Sequence, residues 1–140
     1  MTTRSVYLSV ACNPVALARA RVGKYGQIYT PRESLEAQQQ IGLAWKVLGE
    51  KPFEKGAPLE LTVWAWLKRP KRPKYEYPLG PPDGTNILKN VEDALQKCGA
   101  IPNDSQFITV TASKEYDSVA RLEIDISEHG AEGWWTSEEA

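Results

Sequence analysis

The chain has 140 residues, of which 41% are apolar, with 17 lysines and arginines against 18 acids. This size fits one domain around a single core, and no apolar run approaches the roughly 18 residues that would suggest a membrane-spanning helix. The net charge of −1 gives no overall attraction to nucleic acid, and two cysteines are too few for a disulfide framework or a zinc site.

Residues 1–5 lack the apolar core of a signal peptide, so a cytoplasmic chain is expected. Residues 6–10 alternate as a first strand, which Asn13 and Pro14 end. Residues 18–27 carry Arg19, Arg21 and Lys24 among glycines and read as a mobile basic loop. It is either a solvated connector or a contact for a polyanion. Thr30-Pro31-Arg32-Glu33 marks a helix start: the threonine caps, proline suits the first turn and Glu33 completes a capping box. The helix should run to Leu48 and stop at Gly49. Ala37, Ile41, Ala44, Trp45 and Leu48 share its core face, and Gln38, Gln39 and Gln40 are expected in solvent. Cys12 and Cys98 read as small core residues.

Residues 59–67 form a long strand that is apolar on both faces, because Trp64 and Trp66 oppose Leu59, Leu61, Val63, Ala65 and Leu67. The tryptophan face either meets a subunit partner or closes the core by itself. Residues 68–82 are basic and proline-rich, with Tyr75 and Tyr77 interleaved. Lys68, Arg69, Lys71, Arg72 and Lys74 place five cations in seven residues. Such a segment is too irregular for a core element. It is a solvated loop or, as the cation density favours, a contact for DNA phosphates.

Residues 83–98 give the cleanest helix. Ile87, Leu88, Val91, Ala94, Leu95 and Cys98 fall on one side, and Asn86, Lys89, Asn90, Asp93 and Lys97 on the other. Residues 107–113 then read as a strand, 114–117 as a turn and 119–126 as a strand whose Ala120, Leu122, Ile124 and Ile126 alternate with polar residues. These two strands are expected to pair as a hairpin with one wet face. The expected architecture is a single α+β domain over residues 1–128, in the order β-α-β-α-β-β, with two helices and a mostly antiparallel sheet. An acidic tail, 129–140, follows. Its Trp134 and Trp135 are expected to dock on the body or a partner, and the lone His129 is given no chemical role.

The donors of a metal-dependent phosphate site gather around the second helix. Hard cations such as Mg²⁺ take carboxylate oxygen and retain several waters. Asp83, Asp93 and Asp104 can supply that oxygen, Lys89 can stabilise developing charge, and Asn86 can hold a ligand or a carboxylate. Each also has a plainer reading. Asp83 can cap the helix, Asp93 can pair with Lys89 or Lys97, and Asp104 can shape a turn. Singly the plainer readings are stronger; the joint arrangement about one helix is what points to phosphate chemistry.

Pro82-Asp83-Gly84-Thr85-Asn86-Ile87-Leu88-Lys89, then Asp93-Ala94-Leu95, then Asn103-Asp104-Ser105-Gln106 resemble the RusA family of Holliday junction resolvases. The family pattern is Asp-x-Asp-Asn-x-x-Lys, a helical Asp-Ala-Leu four residues beyond the lysine, and a later Asp-Asp-x-Gln turn before a strand. The resemblance extends along most of the chain. It implies a RusA-like fold and an Mg²⁺-dependent homodimer, with Mn²⁺ able to substitute, that cuts four-way DNA junctions by paired nicks. Such enzymes serve DNA recombination and repair in bacteria and their prophages.

By position, the resemblance implies catalytic roles for Asp83, Lys89, Asp93 and Asp104, metal contacts from Asp83, Asp93, Asp104 and Thr85, and support from Asn86. Two departures stand out. Thr85 replaces the second acid of the first motif, and Asn103 the first acid of the late pair. Thr85 can offer a neutral oxygen but no charge, which predicts weaker metal affinity or low activity. The expected function is a structure-selective endodeoxyribonuclease acting on branched DNA. That DNA would meet Lys68, Arg69, Lys71, Arg72 and Lys74 together with Arg19, Arg21 and Lys24. One alternative is a junction-binding protein of the same fold that does not cut, and another is a hydrolase of a small phosphate ester.

Overall fold

The strand rich in alternating apolar residues is the spine of the fold. In the computed structural model of the protein, residues 4–130 are described. Strands β1 (Ser5–Val10), β2 (Arg21–Val22) and β3 (Ile28–Tyr29) precede helix α1 (Arg32–Leu48). Strand β4 (Leu59–Lys68), helix α2 (Gly84–Lys97), a one-turn 3-10 helix (Asp104–Gln106), β5 (Phe107–Asp117) and β6 (Arg121–Glu128) follow. The main sheet has the order β1-β6-β4-β5. β4 runs antiparallel to β6, with Val63 opposite Ile124, and parallel to β5, with Val63 opposite Ala112. The β4–α2–β5 crossover places α2 on one face of the sheet.

Both helices cover that same face. Val6, Leu8 and Val10 of β1, Leu59, Leu61, Val63 and Ala65 of β4, and Leu122, Ile124 and Ile126 of β6 are buried there. They form one core with Ile41 and Trp45 of α1 and with Ile87, Val91 and Leu95 of α2. The α+β class, the two helices and the mostly antiparallel sheet agree with the sequence pattern. Among the described residues no helix is long and apolar enough to cross a membrane.

The hairpin expected from the last two strands does not form. β4 lies between β5 and β6, and residues 118–120 carry the chain past the Lys68 end of β4. There the Arg69 amide donates to the Asp117 carbonyl at 2.9 Å. The physical reason is burial. Leu122, Ile124 and Ile126 draw β6 to the middle of the sheet, whereas Thr109, Thr111 and the exposed Ile108 and Val110 suit β5 to an edge. The turn expected at residues 114–117 instead extends β5 to Asp117.

The capping box at α1 also fails to form. Pro31, not Thr30, holds the N-cap position, and no side chain caps the helix. The stop at Gly49 is as expected, with φ 69° in the left-handed region. The basic segment expected as a loop folds into the short β2–β3 hairpin, closed by a Gly23 amide to Gln27 carbonyl bond of 2.7 Å.

Gln38 was expected in solvent beside Gln39 and Gln40. It is instead 6% exposed, and Asn90, placed by periodicity on the polar side of α2, is 1% exposed. Trp64 and Trp66 lie half-buried on the sheet face away from the helices. The Arg121 guanidinium stacks over Trp66 at 4.8 Å and pairs with Asp117 and Glu123. Cys12 and Cys98 are free, half-buried thiols packed against the core, and burial pushes the Cys12 thiol up to about 11. Trp134 and Trp135, and with them nearly all of the expected acidic tail, lie outside the described residues.

Candidate active site on the second helix

The start of α2 is fixed from below by the sheet. Lys114 of β5 donates from Nζ to the carbonyls of Gly80 and Pro82, at 3.0 and 3.1 Å, and so anchors the turn that precedes the helix. Asp83 holds the N-cap position in extended conformation, and its carbonyl accepts from the amides of Asn86 and Ile87. Its carboxylate makes no capping bond. The nearest side-chain donor to that carboxylate is Asn86 Nδ2, 3.5 Å from Oδ2. The carboxylate therefore stays exposed at the positive end of the helix dipole, where anions and their counterions collect.

A buried polar seam joins the two helices. Gln38 Nε2 donates to Asn90 Oδ1 at 2.8 Å and to Asp93 Oδ2 at 2.9 Å, and Lys97 Nζ donates to Gln38 Oε1 at 2.8 Å. Lys97 also pairs with Asp93 Oδ2 at 3.3 Å. Asn90 Nδ2 reaches the Val15 carbonyl at 3.1 Å. Ser34 Oγ donates to the Ala16 carbonyl at 2.9 Å, and the Leu17 amide donates to the Asn86 carbonyl, also at 2.9 Å. The segment 15–17 is thus clamped between the helices before it enters the β2–β3 hairpin.

Asp93 consequently faces α1, with Oδ2 engaged by Gln38 and Lys97. A different stripe of α2 carries Thr85, Lys89, Glu92 and Gln96, whose spacings of four, three and four keep them on one face. Gln96 Oε1 accepts from the Asp104 amide at 2.9 Å and draws the 3-10 helix onto this stripe. Asn103 caps that short helix, its Oδ1 accepting from the Ser105 amide at 2.9 Å, so the Asp104 carboxylate is not used for the turn. Glu92 is half-buried beside Asp104 and Lys89. Desolvation, then the Asp104 charge, raises its carboxyl above the usual range, and Lys89 opposes the shift.

Glu92 is an acid on this stripe that lies outside the motif. The signal for it was available in the helical spacing from Thr85 and Lys89. The structure brings Asp104 and Glu92 together by Lys89, leaves Asp83 at the helix start, and turns Asp93 to the inter-helix seam. Among the described residues no three His, Cys, Asp or Glu side chains converge closely enough to cage an ion. Hard carboxylate oxygens with solvent access fit a different kind of site, a hard divalent cation that keeps most of its waters.

The cations surround this region in two exposed groups. Arg21 and Asp83 both line an open cleft of about 490 Å³ between the start of α2, the clamped segment and the start of α1. Arg19 and Lys24 are exposed nearby in the same basic segment. Lys68, Arg69, Lys71, Arg72 and Lys74 are exposed at and beyond the end of β4, with half-exposed Tyr75 and Tyr77 beside them. None of these eight cations is in an ion pair among the described residues.

The model of the family "Endodeoxyribonuclease RusA" matches residues 11–127. The match takes in both helices and strands β4, β5 and nearly all of β6, and begins just after β1. A crossover junction endodeoxyribonuclease rusA from Lactococcus phage r1t is 34% identical over 77 residues. That alignment covers 54% of this chain and 59% of the phage protein, so the chain spans less than two thirds of that relative. With a family match that covers residues 11–127, well over half of its length, the chain belongs to the RusA endodeoxyribonuclease family.

Proposed function

We propose that this protein is a structure-selective endodeoxyribonuclease that resolves four-way or otherwise branched DNA, in recombination and repair, with a divalent cation of the Mg²⁺ type. It acts in the cytoplasm as a homodimer, because paired nicks across a junction need two sites related by symmetry. The observation that carries this reading is the meeting of Asp104 with the Lys89 stripe of α2 in a chain of the RusA family. The phage relative, a crossover junction endodeoxyribonuclease by name, supports the same substrate class.

A bound divalent ion would activate water and offset charge on the phosphate. The rest of the chemistry falls to the side chains. Asp104 would offer carboxylate oxygen to such an ion beside Lys89, Asp83 offers it separately at the start of α2, and Asp93 has its Oδ2 tied to Gln38 and Lys97. Thr85 adds a neutral oxygen. Lys89 places an exposed ammonium where charge develops on the phosphate oxygens. Asn86 lies within reach of the Asp83 carboxylate and biases its orientation. The exposed cations of residues 68–74, with Arg19, Arg21 and Lys24, hold the flanking phosphates and make affinity steeply salt-dependent. That salt dependence separates this reading from hydrolysis of a small phosphate ester.

The assay is purified protein with Mg²⁺ and a labelled four-way junction. Junction cutting well above that of linear duplex is expected, and equal cutting of the two would overturn structure selectivity. The neutral Thr85 favours a second reading, a junction binder that does not cut. It predicts junction binding that persists in EDTA and no cleavage with any divalent metal. Thr85→Asp separates the two, since a large gain in cutting identifies a nuclease site that lacks only charge.

A further inference from the structure

The β2–β3 hairpin presents apolar side chains that the fold leaves uncovered. Tyr25 at its turn is 86% exposed, Ile28 75% and Val22 70%. A two-stranded hairpin without cover is marginal on its own. Its turn is nevertheless closely bonded. The Gly26 amide donates to the Gly23 carbonyl at 3.0 Å, and the Tyr25 amide donates to Gln27 Oε1 at 3.1 Å. Gly26 takes the left-handed conformation, with φ 81°. The Gln27 side chain folds against Gly23, where any side chain at position 23 would collide with it. The base is fixed as well, since Asn90 holds the Val15 carbonyl and the Leu17 amide donates to the Asn86 carbonyl. The Tyr25 ring is thus held in solvent rather than folded onto the core.

The charges around the tip select what it meets. No acid occurs from Val15 to Arg32, whereas Arg19, Arg21 and Lys24 are exposed and make no ion pair among the described residues. Lys24 Nζ lies over the Tyr25 ring, 5.9 Å from its centre. A cationic arm with an aromatic tip complements nucleic acid: the charges take phosphates, and the ring takes the flat face of a base. In continuous duplex those faces are covered by stacking, and unstacking costs least where pairing and stacking are already interrupted, as at a branch. Arg21 lines the same cleft as Asp83, so the hairpin stands beside the start of α2.

We propose that the β2–β3 hairpin is the element that reads the branch, with Tyr25 stacking on a base left unstacked where the arms cross and Val22 and Ile28 packing beside it. The inference rests on the branched-DNA reading above and deepens it by naming the residue behind structure selectivity.

The test measures binding of the whole chain, in Ca²⁺, to a labelled four-way junction and to linear duplex of the same sequence. Fluorescence anisotropy compares wild type, Tyr25→Ala and Tyr25→Phe. Tyr25→Ala is expected to weaken junction binding by about tenfold and to leave duplex binding within about twofold, with Tyr25→Phe close to wild type, because the ring and not the hydroxyl stacks. Circular dichroism verifies that the variants fold. Wild type that binds junction and duplex alike overturns the branched-DNA reading and this inference together. A junction preference that survives Tyr25→Ala, or an equal loss on both DNAs, overturns the role of the hairpin alone. Loss of a wild-type dimer in Tyr25→Ala, read by sedimentation, would assign the tip to a second copy of the chain and likewise overturn it.

Discussion

Gln38 of α1 and Asp93 of α2 are joined by a 2.9 Å hydrogen bond across the seam between the helices. The same Gln38 amide donates to Asn90 Oδ1, while its carbonyl accepts from Lys97. Every polar atom of this buried glutamine is thus in use, which is the condition under which a polar group can sit in a helix interface without a net cost. Gln38→Leu fills the space but leaves Asn90 Oδ1 without its donor. It is expected to lower stability by about 1–3 kcal/mol, read as a shift in urea midpoint. An unchanged midpoint would mean that the seam contributes nothing to holding α1 against α2.

This seam also marks where sequence reading reaches its limit. Periodicity identified both helices, the β4 spine and the inward residues of β6, because each depends on spacing within one element. Gln38 is expected in solvent and Asn90 on the polar side of α2, because a residue's periodicity says nothing about a polar partner more than fifty positions away. The β5–β6 hairpin failed for a related reason. Two adjacent strands with a short link pair by default, and only the competition for the sheet centre, won by Leu122, Ile124 and Ile126, excludes it. At the candidate site, Asp83, Lys89 and Asp104 are read from the motif. Glu92 is not, because it belongs to no motif and gains meaning only when Gln96 brings Asp104 alongside.

Lys71 and Arg72 are exposed in the loop after β4, with no ion-pair partner among the described residues. Their free charge suits phosphate contact rather than folding. Replacing both with alanine is expected to leave the melting temperature unchanged and to weaken junction binding. If each contacts one phosphate, the slope of log affinity against log salt should become shallower by about 2. A fluorescence anisotropy series across salt concentrations measures it, and an unaltered slope removes this loop from the DNA interface.

Lys89 is exposed on the stripe that receives Asp104, and it makes no salt bridge among the described residues. Its charge is available for the phosphate in the transition state. Lys89→Met retains the aliphatic stem and removes the ammonium. Single-turnover cleavage of a four-way junction is expected to slow by about 10²–10³, with junction affinity in Ca²⁺ nearly unchanged. Equal losses in binding and cleavage would instead make Lys89 one more phosphate contact.

Glu92 has a cost that should be visible without any substrate. Its carboxyl is raised above the ordinary value of 4.5, first by burial and then by the Asp104 charge. A raised folded-state value means that the native chain holds the proton more tightly than the unfolded one. The resulting stability is fully present below the unfolded value and is lost as pH rises through the raised folded value. Glu92→Gln removes this titration while keeping nearly the same shape. In EDTA the variant should therefore gain stability relative to wild type as pH rises from about 4.5 to 7. Thermal melts across that range measure the gain. A Glu92→Gln variant with the same pH profile as wild type would show that the carboxylate is an ordinary surface charge.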